Sequence, residues 1–389
     1  MLNCKYIILS FFFQSTIEMC FSQQAQVNTI QPPVHFRMQK VSTETYESVG
    51  VFDVDGDGQQ DLVSGGFWYK GPEYIKRFPT RDVKRTGEYF DDFFTIPLDV
   101  NGDGRMDYIS GGWFGGTIYW YENTGKYDEN WPEHIIAQIG NLETARAWDV
   151  DGDGIVEIVP NNLEKTFRFY RLDLDAKGKG KGSFAEHKLF DTQGHGLGFG
   201  DVNNDGRSDF VLADGWLEAP KKPLAEPWKW HPEFHFDKAS IPILVVDLNK
   251  DGHNDLIVGN GHGYGLYWYE QGQGGKWIKH DIDPNNAQFH TMAWADITGD
   301  NIPELLTGKR FRAHNDHDPG AYDDYGLYYY QWNGEAFSKQ VINYGALGFA
   351  KGTGNFFTVT DLNADGRPDW IVAGKDGLCI FYNEGVNKF

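Results

Sequence analysis

The sequence predicts an all-β fold, a seven-bladed β-propeller, on three observations. An acidic loop of the form D-x-[DNT]-x-D-[GN]-x-x-[DE] occurs seven times, and successive copies start 46 to 65 residues apart. Blades of four strands typically repeat every 40 to 50 residues or so. Aromatic residues make up 16% of the chain and glycine 47 positions, which suits short strands joined by tight turns. The loops begin at Asp53, Asp99, Asp149, Asp201, Asp247, Asp296 and Asp361.

Each loop lies between segments that have the character of strands. A short apolar segment precedes the loop, as at 94–96, and another follows it, as at 62–63. A third segment is aromatic, as at 118–121, and a fourth mixes basic and apolar residues, as at 277–280. The aromatic segments could be platforms that stack on sugars, but their place in mid-blade favours packing of blade against blade.

The two ends of the chain predict how the ring closes. Residues 378–383 have the character of a third strand, and no fourth strand follows them. Residues 35–41 have the character of a fourth strand but lack a blade of their own. We therefore expect the segment 34–42 to complete the last blade, so that the propeller domain spans 34–389.

Each loop also has the chemistry of a site for a hard cation. Oxygen atoms at positions 1, 3, 5 and 9, with a backbone carbonyl at position 7, can surround one Ca²⁺ as in the first half of an EF-hand loop. An isolated loop of this kind could be a plain Asx-rich turn, but seven in register predict up to seven Ca²⁺ ions. The sixth loop has Thr298 at position 3 and Asn301 where the others have glycine, so we expect it to bind most weakly.

The predicted calcium ligands are side chains at positions 1, 3, 5 and 9 of the loops. Seven divalent ions would change the formal net charge from −21 to −7, and without them the carboxylates of each turn would repel one another. We therefore expect calcium to be structural. The ligands are Asp53, Asp55, Asp57, Asp61, Asp99, Asn101, Asp103, Asp107, Asp149, Asp151, Asp153, Glu157, Asp201, Asn203, Asp205, Asp209, Asp247, Asn249, Asp251, Asp255, Asp296, Asp300, Glu304, Asp361, Asn363, Asp365 and Asp369.

The first 22 residues resemble a secretory signal peptide, and a linker is expected at 23–33. Lys5 precedes an apolar run at 6–13 that is too short to span a membrane. A secreted or periplasmic location follows, and lipoprotein anchoring at Cys20 is the alternative. No other stretch is long enough for a transmembrane segment, and the acidic net charge argues against a nucleic-acid partner.

Histidines on the rim opposite the loops form a second candidate metal site. Two of them, His195 and His290, lie six residues before the first Asp of their loops, and His262 follows a second strand. Neutral imidazoles can bind Zn²⁺ or a similar transition metal and leave a position open for substrate. The alternative is that each histidine is an ordinary surface or core residue.

The segment 309–318 lies on the same rim and supplies the candidate catalytic residues. His314 could act as a general base, unless it is itself a ligand. Lys309 and Arg312 could orient a carboxylate or stabilise enolate charge, or they could instead form solvated salt bridges within the loop.

The D-x-D-G-D-G-x-x-D loops resemble FG-GAP/VCBS repeats, the propeller type also found in integrin α subunits, over nearly all of 34–389. Three segments, 194–201, 214–220 and 307–314, resemble more narrowly the propeller domain of aldos-2-ulose dehydratases and related secreted sugar-degrading propellers. This resemblance implies a carbon–oxygen lyase, either a sugar dehydratase or a polysaccharide or oligosaccharide lyase. Such an enzyme would eliminate water or a glycosidic leaving group from a keto-sugar or uronic acid beside a bound metal. The chain has no room for the dehydratase's cupin domains, so the resemblance does not extend to isomerase activity.

A different class of function uses the same rim without chemistry. The repeat also builds adhesins and lectins, so a non-catalytic propeller that binds a glycan or a protein is the alternative to the lyase.

Overall fold

A computed structural model describes residues 29–272 and 274–386, and within these ranges the chain forms seven four-stranded antiparallel sheets. The predicted all-β, seven-bladed propeller is confirmed. The expected signal peptide, with Cys4 and Cys20, lies outside the described residues, as does the linker up to residue 28. No helix in the described ranges combines the length and the apolar character needed to cross a membrane.

Blades 1 to 4 follow one another along the chain. Blade 1 consists of Gly50–Phe52, Asp61–Ser64, Phe67–Tyr69 and Arg77–Pro79. Blade 2 consists of Phe94–Leu98, Asp107–Gly111, Thr117–Tyr121 and Glu133–Gln138. Blade 3 consists of Thr144–Trp148, Glu157–Asn161, Phe167–Leu174 and Gly180–Phe190. Blade 4 consists of Leu197–Gly200, Asp209–Leu212, Gly215–Glu218 and Lys229–His231.

The remaining blades include the one that joins the two ends of the chain. Blade 5 consists of Leu244–Val246, Asp255–Gly259, Tyr264–Gly272 and Lys276–Ala287. Blade 6 consists of Met292–Ala295, Glu304–Gly308, Tyr325–Trp332 and Phe337–Gly345. Blade 7 consists of Thr358–Thr360, Asp369–Val372, Leu378–Val386 and, as its outer strand, Val34–Ser42. A short hairpin of Arg85–Thr86 and Tyr89–Phe90 lies between blades 1 and 2, and the loop between the second and third strands of blade 6 contains the 3₁₀ turn Ala313–Asp316.

The first strand of each blade lies nearest the axis of the ring. First strands of neighbouring blades contact one another, and Gly198 of blade 4 forms a parallel bridge with Ile243 beside the first strand of blade 5. A Cβ atom at Gly198 would lie 2.5 Å from the carbonyl oxygen of Ile243, so this approach requires glycine. The starts of the first strands therefore converge at one mouth of the central channel.

Aromatic third strands pack between blades, as the sequence predicted. Tyr328 and Tyr330 of blade 6 belong to one buried cluster with Ile257 and Leu266 of blade 5. On the outer side of several blades a third-strand aromatic ring stacks on a fourth-strand histidine. Ring centroids are 4.1 Å apart for Trp120 and His134, 4.0 Å for Trp216 and His231, and 4.3 Å for Trp268 and His280.

The outer strand of blade 7 comes from the other end of the chain. Val34–Ser42 pairs antiparallel with Leu378–Val386, from Val34 opposite Val386 to Ser42 opposite Leu378. The backbone N–H of Val34 donates to Tyr329 Oη of blade 6 at 2.9 Å. One strand thus contacts two blades, and how much it stabilises the ring stays a prediction.

Candidate metal centre

The seven acidic loops join the first and second strands of their blades, and each is held by its own backbone. In the first loop, Asp53 accepts hydrogen bonds from the N–H groups of Gly56, Asp57 and Gly58 at 2.8 to 3.2 Å. Asp61, at position 9, is fully buried and accepts from the N–H of Val54 and of Gly71. The turn therefore holds its carboxylates close together through hydrogen bonds of its own.

Some loop carboxylates have oxygen atoms without a partner. Asp55 Oδ1 and Glu157 Oε1 are buried and accept no hydrogen bond. In each of three loops, the first, third and sixth, three carboxylates of the same loop have oxygen atoms within 4.8 Å of one another. The expectation that the sixth loop binds most weakly stays a prediction. Cationic side chains contact carboxylates of several loops: Lys70 in the first, Arg105 in the second and Arg171 in the third.

A second cluster lies at the opposite mouth of the channel, where the first strands begin. His195, His262, His290 and Glu143 each present one ligand atom within 4.8 Å of the others, and all four residues are buried. His195, His290 and Glu143 each precede a first strand, of blades 4, 6 and 3, and His262 lies in the loop after the second strand of blade 5. The structure therefore brings together the three histidines that the sequence singled out.

The outer hydrogen bonds of two histidines determine which ring nitrogens carry protons. His195 Nδ1 lies 2.8 Å from the carbonyl oxygen of Ala239, which can only accept, so Nδ1 carries the hydrogen. His262 Nδ1 lies 2.9 Å from Asp318 Oδ2. Burial alone would raise the pKa of Asp318, but the hydrogen bond and charge of His262 lower it to about 2. Both rings in their neutral form therefore carry a lone pair on Nε2.

These two Nε2 atoms face each other at 2.9 Å. Two lone pairs at that distance repel each other unless a cation or a proton lies between them. Two nitrogens bound at about 2.0–2.1 Å to one tetrahedral Zn²⁺ would be about 3.3 Å apart, close to the observed separation. The donor set and its outer hydrogen bonds therefore fit a divalent transition metal.

His290 and Glu143 complete the cluster and connect it to a buried cation. His290 Nε2 lies 3.0 Å from Glu143 Oε1, and its Nδ1 is buried without a partner. Arg310 donates from Nη1 to the same Glu143 oxygen at 3.0 Å and from Nε to Glu47 Oε1 at 3.3 Å. Burial would raise the pKa of Glu143, but His290 and Arg310 together lower it well below its usual value.

Two histidines of the cluster, His195 and His290, are neutral around pH 7. Burial lowers the pKa of His195 to about 4 and lowers that of His290 well below its usual range. Neutral imidazoles beside an ionised carboxylate are the protonation states in which these groups bind metals.

His314, the candidate base, lies beside the cluster. Its ring stacks on His262 with centroids 4.2 Å apart, and Nδ1 lies 3.0 Å from Asp318 Oδ1. Asp318 thus orients both rings at once. Its neighbours Arg312, Asn315 and Asp316, like His314 itself, have φ between 46° and 64°, a left-handed run that costs energy and that is stabilised by surrounding contacts.

The ammonium group of Lys309 forms its hydrogen bonds inside its own loop. Its ammonium donates to the carbonyl oxygens of Gly320, Ala321 and Asp323, so all three of its hydrogens are used inside the loop. These bonds hold the segment 320–323 in place, and a role of Lys309 toward a substrate stays a prediction. Arg312 forms the salt bridges that were the alternative for it, with Glu88 and Asp316 at 3.0 Å.

Three residues of the site, Glu143, Arg310 and Asp318, were given no role from the sequence. Glu143 occupies the position six residues before a loop, where all seven residues prove to be buried near the channel mouth. That recurring position was the signal. Its occupants are Glu47, Phe93, Glu143, His195, Ile241, His290 and Asn355.

A cavity of 250 Å³ opens beside the cluster. One part of its wall is aromatic and another carries polar groups of the cluster. Its lining residues are Tyr89, Phe93, Trp113, Phe114, Glu143, Arg310, His314 and Asn315.

The fold is a seven-bladed β-propeller, and parts of its sequence match a known repeat family. The FG-GAP-like repeat family matches residues 99–159 and 247–307, which contain four of the seven loops. No curated protein matched the sequence.

Solved structures with a similar fold have low sequence identity to this chain. BBS1N in complex with ARL6DN is 11% identical over 91% of this chain and 98% of that chain, with a TM-score of 0.53. A rhamnogalacturonan lyase of Bacillus licheniformis is 12% identical over 94% and 76%, with a TM-score of 0.48. A lectin of Agrocybe aegerita that recognises non-reducing terminal N-acetylglucosamine is 16% identical over 77% and 80%, with a TM-score of 0.47. At these identities the likeness shows the fold alone.

Proposed function

We propose that this protein is a secreted carbon–oxygen lyase that acts on a carbohydrate beside a divalent transition metal held by His195, His262 and His290. The observation that carries the proposal is the pair of Nε2 lone pairs that face each other at 2.9 Å. Zn²⁺ suits this nitrogen-rich set, and Glu143 lies close enough to be a further ligand. The resemblance of 194–201 and 307–314 to sugar-degrading propellers supports the same class of reaction.

The chain's own residues supply the remaining chemistry. A divalent ion at this site adds positive charge beside a substrate carbonyl or carboxylate, which makes the adjacent C–H more acidic. His314 Nδ1 donates to Asp318, so Nε2 carries the lone pair that accepts this proton. The electron pair of the broken C–H bond forms a C=C bond, and the oxygen on the neighbouring carbon leaves with its own bonding pair.

The small cavity offers a surface for a sugar ring. Tyr89, Trp113 and Phe114 line it together with polar groups of the cluster, and the ring centroids of Tyr89 and Phe114 are 5.7 Å apart. The apolar C–H face of a sugar packs well on such rings, and its hydroxyl groups need polar partners like those on the opposite wall.

If the protein is a lyase, its product has a new C=C bond, and its zinc content depends on His195 and His290. In His195→Ala/His290→Ala we expect about one zinc per chain to be lost while calcium is retained, since the loops are at the other end of each blade. We also expect the rise in ultraviolet absorbance from wild type with uronic or oxidised oligosaccharides to slow by roughly 100-fold or more in this variant. The matched control is His35→Ala, which removes an exposed histidine on the outer strand of blade 7 that pairs with Glu384. Equal zinc content and equal rates in all three proteins would contradict the proposal.

The second candidate is a non-catalytic propeller that binds a glycan or a protein. The proximity of Glu143 to the three histidines favours it, because four protein ligands would close a metal site and make it structural. Binding of an oligosaccharide that the wild type never converts to an unsaturated product would favour this candidate.

We also propose that the seven loops bind calcium and that calcium stabilises the ring. The buried Asp55 Oδ1 and Glu157 Oε1, which accept no hydrogen bond, support this, since a hard cation would satisfy them. We expect excess EGTA to lower the melting temperature by roughly 10 °C, because each site would contribute a few kcal/mol at saturating ion. Added Ca²⁺ in excess over EGTA should restore the original curve, and an unchanged curve in EGTA would show that the loops need no ion.

A further inference from the structure

A larger cavity of 640 Å³ lies next to the candidate site, and most of the charged side chains on its wall are basic. It lies between the outer strand of blade 7, the hairpin 85–90 and the loop that follows Arg310. Five cationic residues line it against only two acidic ones, in a chain whose formal net charge is −21. The cations are Lys40, Arg85, Arg312, Lys351 and Lys375.

The two acidic residues of the wall are already neutralised. Glu88 pairs with Arg312, and Asp376 pairs with Lys351. Among the described residues, no carboxylate oxygen lies within 4.0 Å of the charged group of Lys40, Arg85 or Lys375. Three positive charges therefore line one concave space without a directly paired carboxylate, an arrangement that attracts anions.

Lys375 places a buried ammonium group on the wall of this cavity. It is 8% exposed, and its ammonium donates to the carbonyl oxygen of Arg312 at 2.7 Å and lies 3.4 Å from the ring centroid of Tyr89. Burial lowers its pKa to about 8. A buried ammonium with a hydrogen to spare gains much from an anionic partner.

The basic cavity and the small aromatic cavity share a wall. Tyr89 lines the small cavity, and Lys375 of the basic cavity lies on its ring. Arg310 faces the histidine cluster, whereas the next two residues, Phe311 and Arg312, line the basic cavity. A ligand longer than one sugar could therefore occupy both spaces.

The basic cavity also has apolar surface that suits a sugar. Phe311 is buried and stacks on Tyr325 with centroids 4.4 Å apart. Leu347 and Phe349 stand exposed on the turn at its edge. Cations beside apolar surface match the two faces of an acidic sugar, which has C–H groups on one side and a charged substituent on the other.

We propose that the basic cavity is a second subsite, which binds a carboxylate or sulfate group of an anionic oligosaccharide while a neighbouring sugar of the same chain occupies the histidine site. This inference rests on the proposed function, since it takes the substrate to be a carbohydrate. It deepens that function by naming the substrate class as a polyanionic sugar chain of several residues.

Calorimetric titration with three defined hexasaccharides tests the subsite. The probes are an oligogalacturonate with carboxylates only, a chondroitin sulfate with carboxylates and sulfates, and a neutral maltohexaose. We expect Lys40→Gln/Arg85→Gln/Lys375→Gln to bind the preferred anionic probe at least tenfold more weakly than wild type, with a shallower dependence on salt. The matched control removes three exposed lysines elsewhere: Lys177→Gln/Lys221→Gln/Lys222→Gln.

The outcomes show whether the subsite binds carboxylates or sulfates. They also test the subsite separately from the lyase activity. Tight binding of the oligogalacturonate assigns carboxylates, and binding of the sulfated probe alone assigns sulfates. Binding of neither anionic probe, equal binding of the neutral one, or an equal loss in the control variant would overturn the subsite. The lyase fails and the subsite stands if the anionic probe binds through the cavity but wild type forms no product. The subsite fails and the lyase stands if the cavity variant converts the probe with unchanged KM.

Discussion

A chain that starts at residue 43, without the strand Val34–Ser42, is expected to unfold as a whole rather than lose one blade. The strand pairs with Leu378–Val386 at seven positions, and each backbone hydrogen bond contributes about 0.5–1.5 kcal/mol net. With the burial of Val34 against Trp370, the loss is on the order of 5 kcal/mol, a large part of the stability of a typical domain. Urea denaturation monitored by tryptophan fluorescence measures it.

The expectation of global unfolding follows from the closed ring. In a closed propeller every blade is covered on both sides, so opening one blade also uncovers its two neighbours. Val34 strengthens this coupling because its N–H donates to Tyr329 of blade 6. The matched control starts the chain at residue 34, which removes the same leading residues but keeps the strand. If both truncations melted like the full chain, the strand would be a disposable addition to blade 7.

The number of blades could be predicted from sequence because one local feature marks each of them. The acidic loop needs several carboxylates and a left-handed position within nine residues, a pattern that rarely arises by chance at regular spacing. The unusual spacing between the sixth and seventh loops was also informative. It reflects the extended loop between Glu304–Gly308 and Tyr325–Trp332, which the structure places beside the histidine cluster.

The roles of neighbouring residues in that loop could not be predicted. Successive side chains on an extended backbone point in opposite directions, so Lys309 and Arg310 cannot both face the channel. Which of them does depends on where the second strand of blade 6 ends, and the sequence does not mark that residue. Their partners are equally hidden, because Glu47 pairs with Arg310 from the opposite end of the chain.

Replacing Arg310 with methionine is expected to destabilise the protein by roughly 3–5 kcal/mol, a typical effect of removing one partner from a buried ion pair. Arg310 is 1% exposed and is the cation for two buried carboxylates, Glu47 and Glu143. Without it, these groups would have to remain charged in a poorly hydrated site or take up protons. The free energy of unfolding in urea, compared between wild type and Arg310→Met, measures the effect.

Two further variants show that charge, and not volume, is responsible. Arg310→Met/Glu47→Gln/Glu143→Gln removes the carboxylates together with the cation, and we expect it to recover much of the lost stability because no unpaired buried charge remains. Glu129→Gln, which breaks an exposed pair with Lys126, should change stability by no more than about 1 kcal/mol. If the triple variant were less stable than Arg310→Met alone, the carboxylates would stabilise the channel mouth by themselves. That outcome would show that unpaired buried charge does not account for the stability lost in Arg310→Met.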